Sequence, residues 1–325
     1  MNFGMNIFRN HLKNFNIKNS EFNQLLIKNG INAKNYFSSD NKRSFKEFHN
    51  IIEKNQYTQI IQKYIIDLVQ NCSIWLSPQF FQNIPIFLPF SVRERTSWQH
   101  RRTNLNGDNW GSANNKGYVI DDNSDIKDII RNAEIINNTF SANLKPSTGF
   151  IACHIWPKTT SNPRLYSFVP NVVWLPRPIA KLSDDQTSYL SLILKIISTE
   201  LYKEIKIYKY ELKQIVNDSW SLLLKKPDSP SYNDSTIKNT IKIANISYSN
   251  QNIERRKIKL IQNIDKILLY IKLFIKDPNY KIKSTEKLIH NRYISSLLLL
   301  IKEDNESVKE YSEWLHLYLD ALKKV

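Results

Sequence analysis

The periodicity of this chain changes most sharply over residues 146 to 182, and that interruption constrains the fold more than any other feature. Pro146-Ser147-Thr148-Gly149 reads as a turn. It leads into the apolar run FIACHIW (150–156), the loop PKTTSNPRLYSFVPN (157–171), and a second apolar run, VVWL (172–175), closed by Pro176-Arg177-Pro178. Short apolar runs bounded by Pro, Gly and Asn are strand signals. Ser183-Asp184-Asp185-Gln186 has the form of a capping box, with Ser at the N-cap and Gln three residues on. It opens a predicted helix through Leu190, Ile193, Leu194 and Ile197. The local order is strand, loop, strand, helix.

Elsewhere the spacing is helical. Ile51, Ile52, Ile60, Ile61, Tyr64, Ile65 and Leu68 recur at helix period, and prolines at 78, 85 and 89 end that pattern. The polar, aromatic and arginine-rich stretch 91–118 follows, with turns at Asn106-Gly107 and Trp110-Gly111. A helix is predicted from Ser124, as N-cap, through Ile129, Ile130 and Ile136. Further helices are predicted over about 209–223, from Asn250 toward Phe274, and around 285–302 and 305–323. Residues 227–239, PDSPSYNDSTIKN, read as a loop and module boundary. The expected class is α+β and predominantly helical, with a small β-rich finger in the middle of the chain. Three regions follow: a mostly helical 1–145 carrying the Arg-rich loop, the finger at 146–205, and a helical 206–325.

Of 325 residues, 41% are hydrophobic, enough for a substantial core and too many for a disordered chain. Glycine occurs 6 times, which disfavours a glycine-rich phosphate loop. Lys plus Arg is 46 against 30 Asp plus Glu, a formal charge of +16. Such an excess favours a polyanionic partner, since each neutralised phosphate releases condensed counterions. The same lysines also fit the Asn-, Lys- and Ile-rich composition of an A/T-rich coding sequence. Two cysteines, Cys72 and Cys153, suffice neither for a four-cysteine zinc site nor for a disulfide framework. The N-terminus MNFGMNIFRNHLKNFN lacks a signal-peptide apolar core, and no run of about 18 apolar residues occurs. A cytoplasmic location is the expectation.

His154 falls late in the first strand of the β-rich finger, and Asn171 immediately precedes the second. This arrangement resembles the ββα-metal finger of the His-Asn-His (HNH) nucleases. The wider string CHIWPKTTSNPRLYSFVPNVVWLPRPIAKLSDD is similar to HNH-type type II restriction endonucleases, which carry a His-Ile-Trp-Pro element, then Asn-Leu-Val-Leu-Leu-Pro, then Thr-Asp-His at the helix start. The likeness covers about 40 of the 325 residues. It implies His154 as the general base that activates water, Asn171 as organiser or metal ligand, Asp185 as a further ligand, and Mg²⁺ or another divalent cation as cofactor. Departures from the pattern are Cys153 where many relatives have an acid, Asp185 in place of His, and no paired CxxC clamps.

The chemistry suits these residue types. Phosphodiester hydrolysis needs a base for water and a cation for charge on the pentacoordinate phosphate. A neutral imidazole serves as base near pH 7, and hard oxygen donors suit Mg²⁺. Between Glu134 and Asp184 there is no acid, while Lys145, Lys158, Arg164, Arg177 and Lys181 are basic. A segment approaching phosphates would be depleted in this way. Each residue also has a plainer reading. His154 could be a core histidine satisfied by a backbone carbonyl, Asn171 a turn residue, and Asp184 and Asp185 complements to a helix dipole.

Arg93, Arg95, Trp98, His100, Arg101 and Arg102 form the densest cationic cluster and are candidates for DNA contact, as are Lys158, Arg164 and Arg177. The alternative for the cluster is a surface paired with Glu94 and Asp108. Lys257, Lys259 and Lys266 read as a solvated helix face, and Arg255 and Arg256 as nonspecific phosphate contacts. The expected partners are double-stranded DNA, a second copy of the chain, by analogy with enzymes that read palindromes, and a DNA methyltransferase acting on the same site. Two other classes stay open: a PD-(D/E)xK nuclease, although no Pro-Asp followed by Glu-x-Lys falls on adjacent predicted strands and Glu200 and Glu204-Ile205-Lys206 read as helical, and a nucleic-acid binder without catalysis.

Overall fold

The computed structural model describes residues 65–66, 69, 73–94, 111–130, 134–136, 150–184, 188–225, 245–247, 250–282, 291–303 and 306–324. These are mostly helical with small sheets, an α+β architecture. The first half contains β1 (Trp75–Leu76), α1 (Pro78–Asn83), β2 (Ser91–Val92), β3 (Val119–Ile120), α2 (Ser124–Asp128) and β4 (Glu134–Ile136). The middle holds β5 (Phe150–His154), α3 (Pro163–Tyr166), β6 (Val172–Pro176), α4 (Arg177–Ala180) and α5 (Tyr189–Tyr202). Then come α6 (Tyr210–Leu224), β7 (Asn245–Ser247), α7 (Asn250–Lys276), α8 (Asn291–Glu303) and α9 (Glu306–Lys323).

The two apolar runs pair as an antiparallel ladder, Phe150 opposite Pro176, Ala152 opposite Trp174 and His154 opposite Val172. β6 is buried along its whole length, as expected of a strand covered on both faces. Trp174 also exchanges backbone hydrogen bonds with Ile74, at 2.9 and 3.1 Å. This joins the hairpin to the segment leading into β1, which pairs in parallel with β7, itself antiparallel to β4. β2 and β3 form a separate parallel pair.

Helices pack behind this frame. The Tyr202 hydroxyl at the end of α5 donates to the Leu76 carbonyl at 2.5 Å. The Tyr318 hydroxyl of α9 accepts from the Ile86 amide at 3.1 Å and donates to the Ile86 carbonyl at 2.8 Å. Both hydroxyls give buried backbone groups a hydrogen-bond partner. α7 lies against α8 and α9. One contiguous apolar cluster takes in residues from Ile65 to Leu322, so the three regions read from the sequence share a core. No helix among the described residues is long and apolar enough to cross a membrane.

Two helix starts differ from the sequence reading. The helix at 124 is a single turn and a half, ending at Asp128, and Glu134–Ile136 is a strand. Pairing with β7 overrides the helical spacing of Ile129, Ile130 and Ile136, a tertiary effect on a weak local signal. The N-cap is Asn123, at φ 68°, rather than Ser124. The capping serine of α5 is Ser188, whose hydroxyl accepts from the Ser191 amide at 3.1 Å. Ser183 instead sits in a 3₁₀ turn, Lys181–Asp184, and donates to the Ala180 carbonyl at 2.7 Å. Residues 51–64 and 285–290 of the predicted helices, and the loop at 227–239, lie outside the described residues.

Candidate active site

The loop between β5 and β6 is built around Asn171, which is 0% exposed. Its Oδ1 accepts from the Trp156 amide at 3.1 Å, and its Nδ2 donates to Thr159 Oγ1 at 2.9 Å and to the Leu165 carbonyl at 2.8 Å. The backbone carbonyl of Asn171 accepts from the Ile155 amide at 2.9 Å. One side chain thus ties the beginning, middle and end of the loop to the foot of β6. This geometry disfavours Asn171 as a metal ligand. A fully buried amide with both donors and its oxygen engaged has no face for a hydrated cation, and Mg²⁺ sheds water reluctantly. Asn171 also exceeds a plain turn residue, because its contacts span the whole loop.

Further ties fix the loop from outside. The Arg93 amide donates to the Thr160 carbonyl at 2.8 Å, and the Leu88 amide donates to Ser167 Oγ at 2.6 Å. Within the loop, Asn162 caps α3 by accepting from the Arg164 amide at 2.9 Å, with Pro163 at the first helical position. Lys158 is exposed near the loop's tip at φ 53°, a left-handed conformation rare for a lysine.

His154 ends β5 and is half-buried, while Phe150 and Ala152 on the same strand face are in the core. Its Nε2 lies 2.9 Å from the Tyr166 carbonyl. A carbonyl only accepts, so Nε2 carries the proton and Nδ1 keeps its lone pair. Nδ1 bonds to no other described residue. The ring stacks on that of Tyr166, with centroids 5.2 Å apart and planes at 18°. Burial, with a smaller contribution from the Arg93 guanidinium, lowers the imidazole to about 4, while the Tyr166 carbonyl opposes the shift. The ring is therefore neutral near pH 7, the state a general base requires.

Tyr166 brings in residues that sequence reasoning missed. Its hydroxyl donates to Asp121 Oδ2 at 2.6 Å, with Asn123 Oδ1 at 2.9 Å. Asp121 is 6% exposed and also accepts from the Asn123 amide at 3.1 Å and from Ser124 Oγ at 3.2 Å. Burial pushes the Asp121 carboxyl up, opposed by its bond from Tyr166. Tyr166 is raised well above its ordinary value, first by burial and then by Asp121. The segment 146–182 contains no carboxylate of its own, and the one beside its tyrosine arrives from 45 residues upstream. A pair of acids just after the β3 run, Asp121-Asp122, was the only available signal.

The remaining candidates separate. Arg93 lies beside the loop and near His154 and Tyr166. Arg177 is exposed at the start of α4. Arg164 is half-buried with its guanidinium 5.2 Å above the Trp314 ring, a packing role that competes with DNA contact. Arg95, Trp98, His100, Arg101, Arg102 and Asp185 lie outside the described residues. Asp184 is exposed in the turn before α5. Cys153 is buried, its thiol 3.6 Å from the Ile151 carbonyl. Among the described residues, no three His, Cys, Asp or Glu side chains are grouped to hold a metal ion.

Two cations of α7, Lys257 and Arg256, depart from the sequence reading. Lys257 is buried on α7 rather than part of a solvated face, whereas Lys259 is exposed and Lys266 half-buried. Arg256 donates to the Ile129 carbonyl at 2.8 Å, beyond the end of α2, so its guanidinium is engaged within the fold. Glu200 is on α5, and Glu204 and Lys206 follow in the turn and coil after it, so none of the three is on a described strand. Comparison of the chain with protein families, curated proteins and solved structures finds no match, so the local geometry carries the reading by itself.

Proposed function

We propose that the chain is a sequence-specific DNA endonuclease of the HNH, ββα-metal type, resembling type II restriction enzymes, with His154 as general base. The observation that carries this reading is a neutral histidine at the end of a short antiparallel hairpin, its Nε2 held by a backbone carbonyl and its Nδ1 left with a free lone pair. An asparagine at the foot of the second strand clasps the intervening loop. The net charge of +16 favours a polyanionic substrate.

In this reading Nδ1 takes a proton from water as the oxygen attacks phosphorus. The bond from phosphorus to the leaving ribose oxygen breaks, and that oxygen collects a proton from solvent. A base with a midpoint near 4 is weak in the free protein. An anionic phosphate beside the ring stabilises imidazolium and raises that midpoint toward the working pH. Arg93, which follows β2 and is tied to the loop through its amide, is the residue assigned to meet the phosphate in this reading. Mg²⁺ or another divalent cation is the cofactor of this proposal, and it supplies charge stabilisation at the phosphate. Asn171, with its amide engaged within the loop, is poorly suited as its ligand. Duplex DNA is the substrate, a homodimer the expected assembly for a palindromic site, and a methyltransferase of the same specificity the expected companion.

Purified protein should convert unmodified plasmid and phage DNA to discrete fragments only with divalent metal present. His154→Ala should lose cleavage by 10²-fold or more, roughly the contribution of a general base, and keep DNA binding. Full activity in that variant overturns the proposal. Salt-dependent binding with no cleavage of any unmodified DNA, at any divalent metal, would favour the binder without catalysis.

A further inference from the structure

Tyr166 touches His154 in two independent ways: its ring lies flat against the imidazole, and its carbonyl accepts the Nε2 proton. It is itself 0% exposed and is anchored at its far end by Asp121 and Asn123, which belong to the turn between β3 and α2. Burying a carboxylate is unfavourable unless its oxygens are bonded. An Asp that only organised a turn could do so at the surface. Asp121 turns inward, and its Oδ2 receives the 2.6 Å hydroxyl bond from Tyr166. Asn123 accepts the left-handed φ of 68° that carries the chain round this point. We propose that Asp121 and Tyr166 are positioning residues for His154, acting as a relay from the β3–α2 turn that holds the imidazole ring in one orientation with Nδ1 presented.

The relay explains why a tyrosine occupies a site where a phenylalanine would stack equally well. Without the hydroxyl anchor, the end of α3 loses its side-chain tie to the β3–α2 turn, and the Tyr166 carbonyl and ring are free to shift together. A displacement of the base by about 1 Å is enough to lower a rate by roughly 10²-fold. The effect on cleavage rests on the proposed role of His154 as base. The orientation of the ring does not, and it can be read separately.

The test uses full-length protein labelled with ¹⁵N-histidine. Wild type should show one His154 state, with Nε2 protonated and Nδ1 unprotonated, and a hydrogen-bonded Nε2 proton protected from solvent exchange. Tyr166→Phe and Asp121→Ala should lose that protection and broaden or average the two nitrogen shifts. Asp121→Asn, which keeps an oxygen acceptor for the hydroxyl, should stay close to wild type. In cleavage, the first two variants should lower kcat about 10- to 100-fold with KM unchanged, and Asp121→Asn should restore most of it. Should Asp121→Ala not fold, Tyr166→Phe, which removes one oxygen, carries the test. Wild-type nitrogen shifts and proton protection in Tyr166→Phe overturn the relay, whether or not the protein cleaves DNA. Absence of cleavage by wild type, with the shifts responding as described, overturns the nuclease reading and leaves the relay standing.

Discussion

Replacing Asn171 by Ala separates a loop clasp from a metal ligand. The substitution leaves the Trp156 amide, whose bond goes to Asn171 Oδ1, without that partner inside the protein. An orphaned buried donor costs about 1–3 kcal/mol. The Leu165 carbonyl keeps a 3.3 Å bond from the Phe168 amide, and Thr159 Oγ1 still donates to the Trp156 carbonyl at 2.8 Å. Those two losses are therefore ordinary ones, about 0.5–1.5 kcal/mol each. The total is about 4 kcal/mol of folding stability, large for a single substitution. Urea unfolding followed by tryptophan fluorescence, with EDTA present throughout, measures it, and Trp156 and Trp174 lie in the affected hairpin and loop. A clasp predicts the full loss in EDTA. A loss below about 1 kcal/mol in EDTA, with weakened Mg²⁺ affinity, would refute the clasp and reinstate Asn171 as a ligand.

Acid should destabilise the protein through His154. Its folded midpoint, about 4, lies below the unfolded value of about 6.5, so between them the unfolded chain binds more protons. The contribution is complete above about pH 6.5 and is lost as pH falls toward 4, at most roughly 3 kcal/mol. His154→Gln keeps a donor for the Tyr166 carbonyl without this titration, so its unfolding free energy should fall less between pH 7 and 4.5; equal slopes refute the assignment. Arg164→Ala should lower stability by about 1 kcal/mol through loss of the stack on Trp314, with DNA affinity little changed. Arg93→Ala should weaken DNA binding and reduce the salt slope by about 1. Binding titrations over a salt series distinguish the two arginines, and the reverse pattern would exchange their roles.

The hairpin was legible because its signals are local. Two apolar runs bounded by proline and glycine define strands at 150–154 and 172–176, and the long helices after residue 188 follow the 3.6-residue period of their buried faces. His154 and Asn171 stood out for their places at the strand ends. What each does was not legible. Asn171 became a clasp because the chain folds Trp156, Thr159 and Leu165 around it, and hydrogen-bond saturation is a property of that enclosure.

Arg164 and Arg93 looked alike in the sequence, and only the approach of α9 places Trp314 beneath one of them. Likewise β4 was written in helical spacing and became a strand because β7, over a hundred residues away, offered it a ladder. Local periodicity and turn chemistry are encoded over a few residues, so the sequence alone determined the hairpin and the long helices after residue 188. The burial of Asp121 against Tyr166, and with it the setting of His154, depends on contacts between segments distant in the chain, and only the tertiary structure decided them.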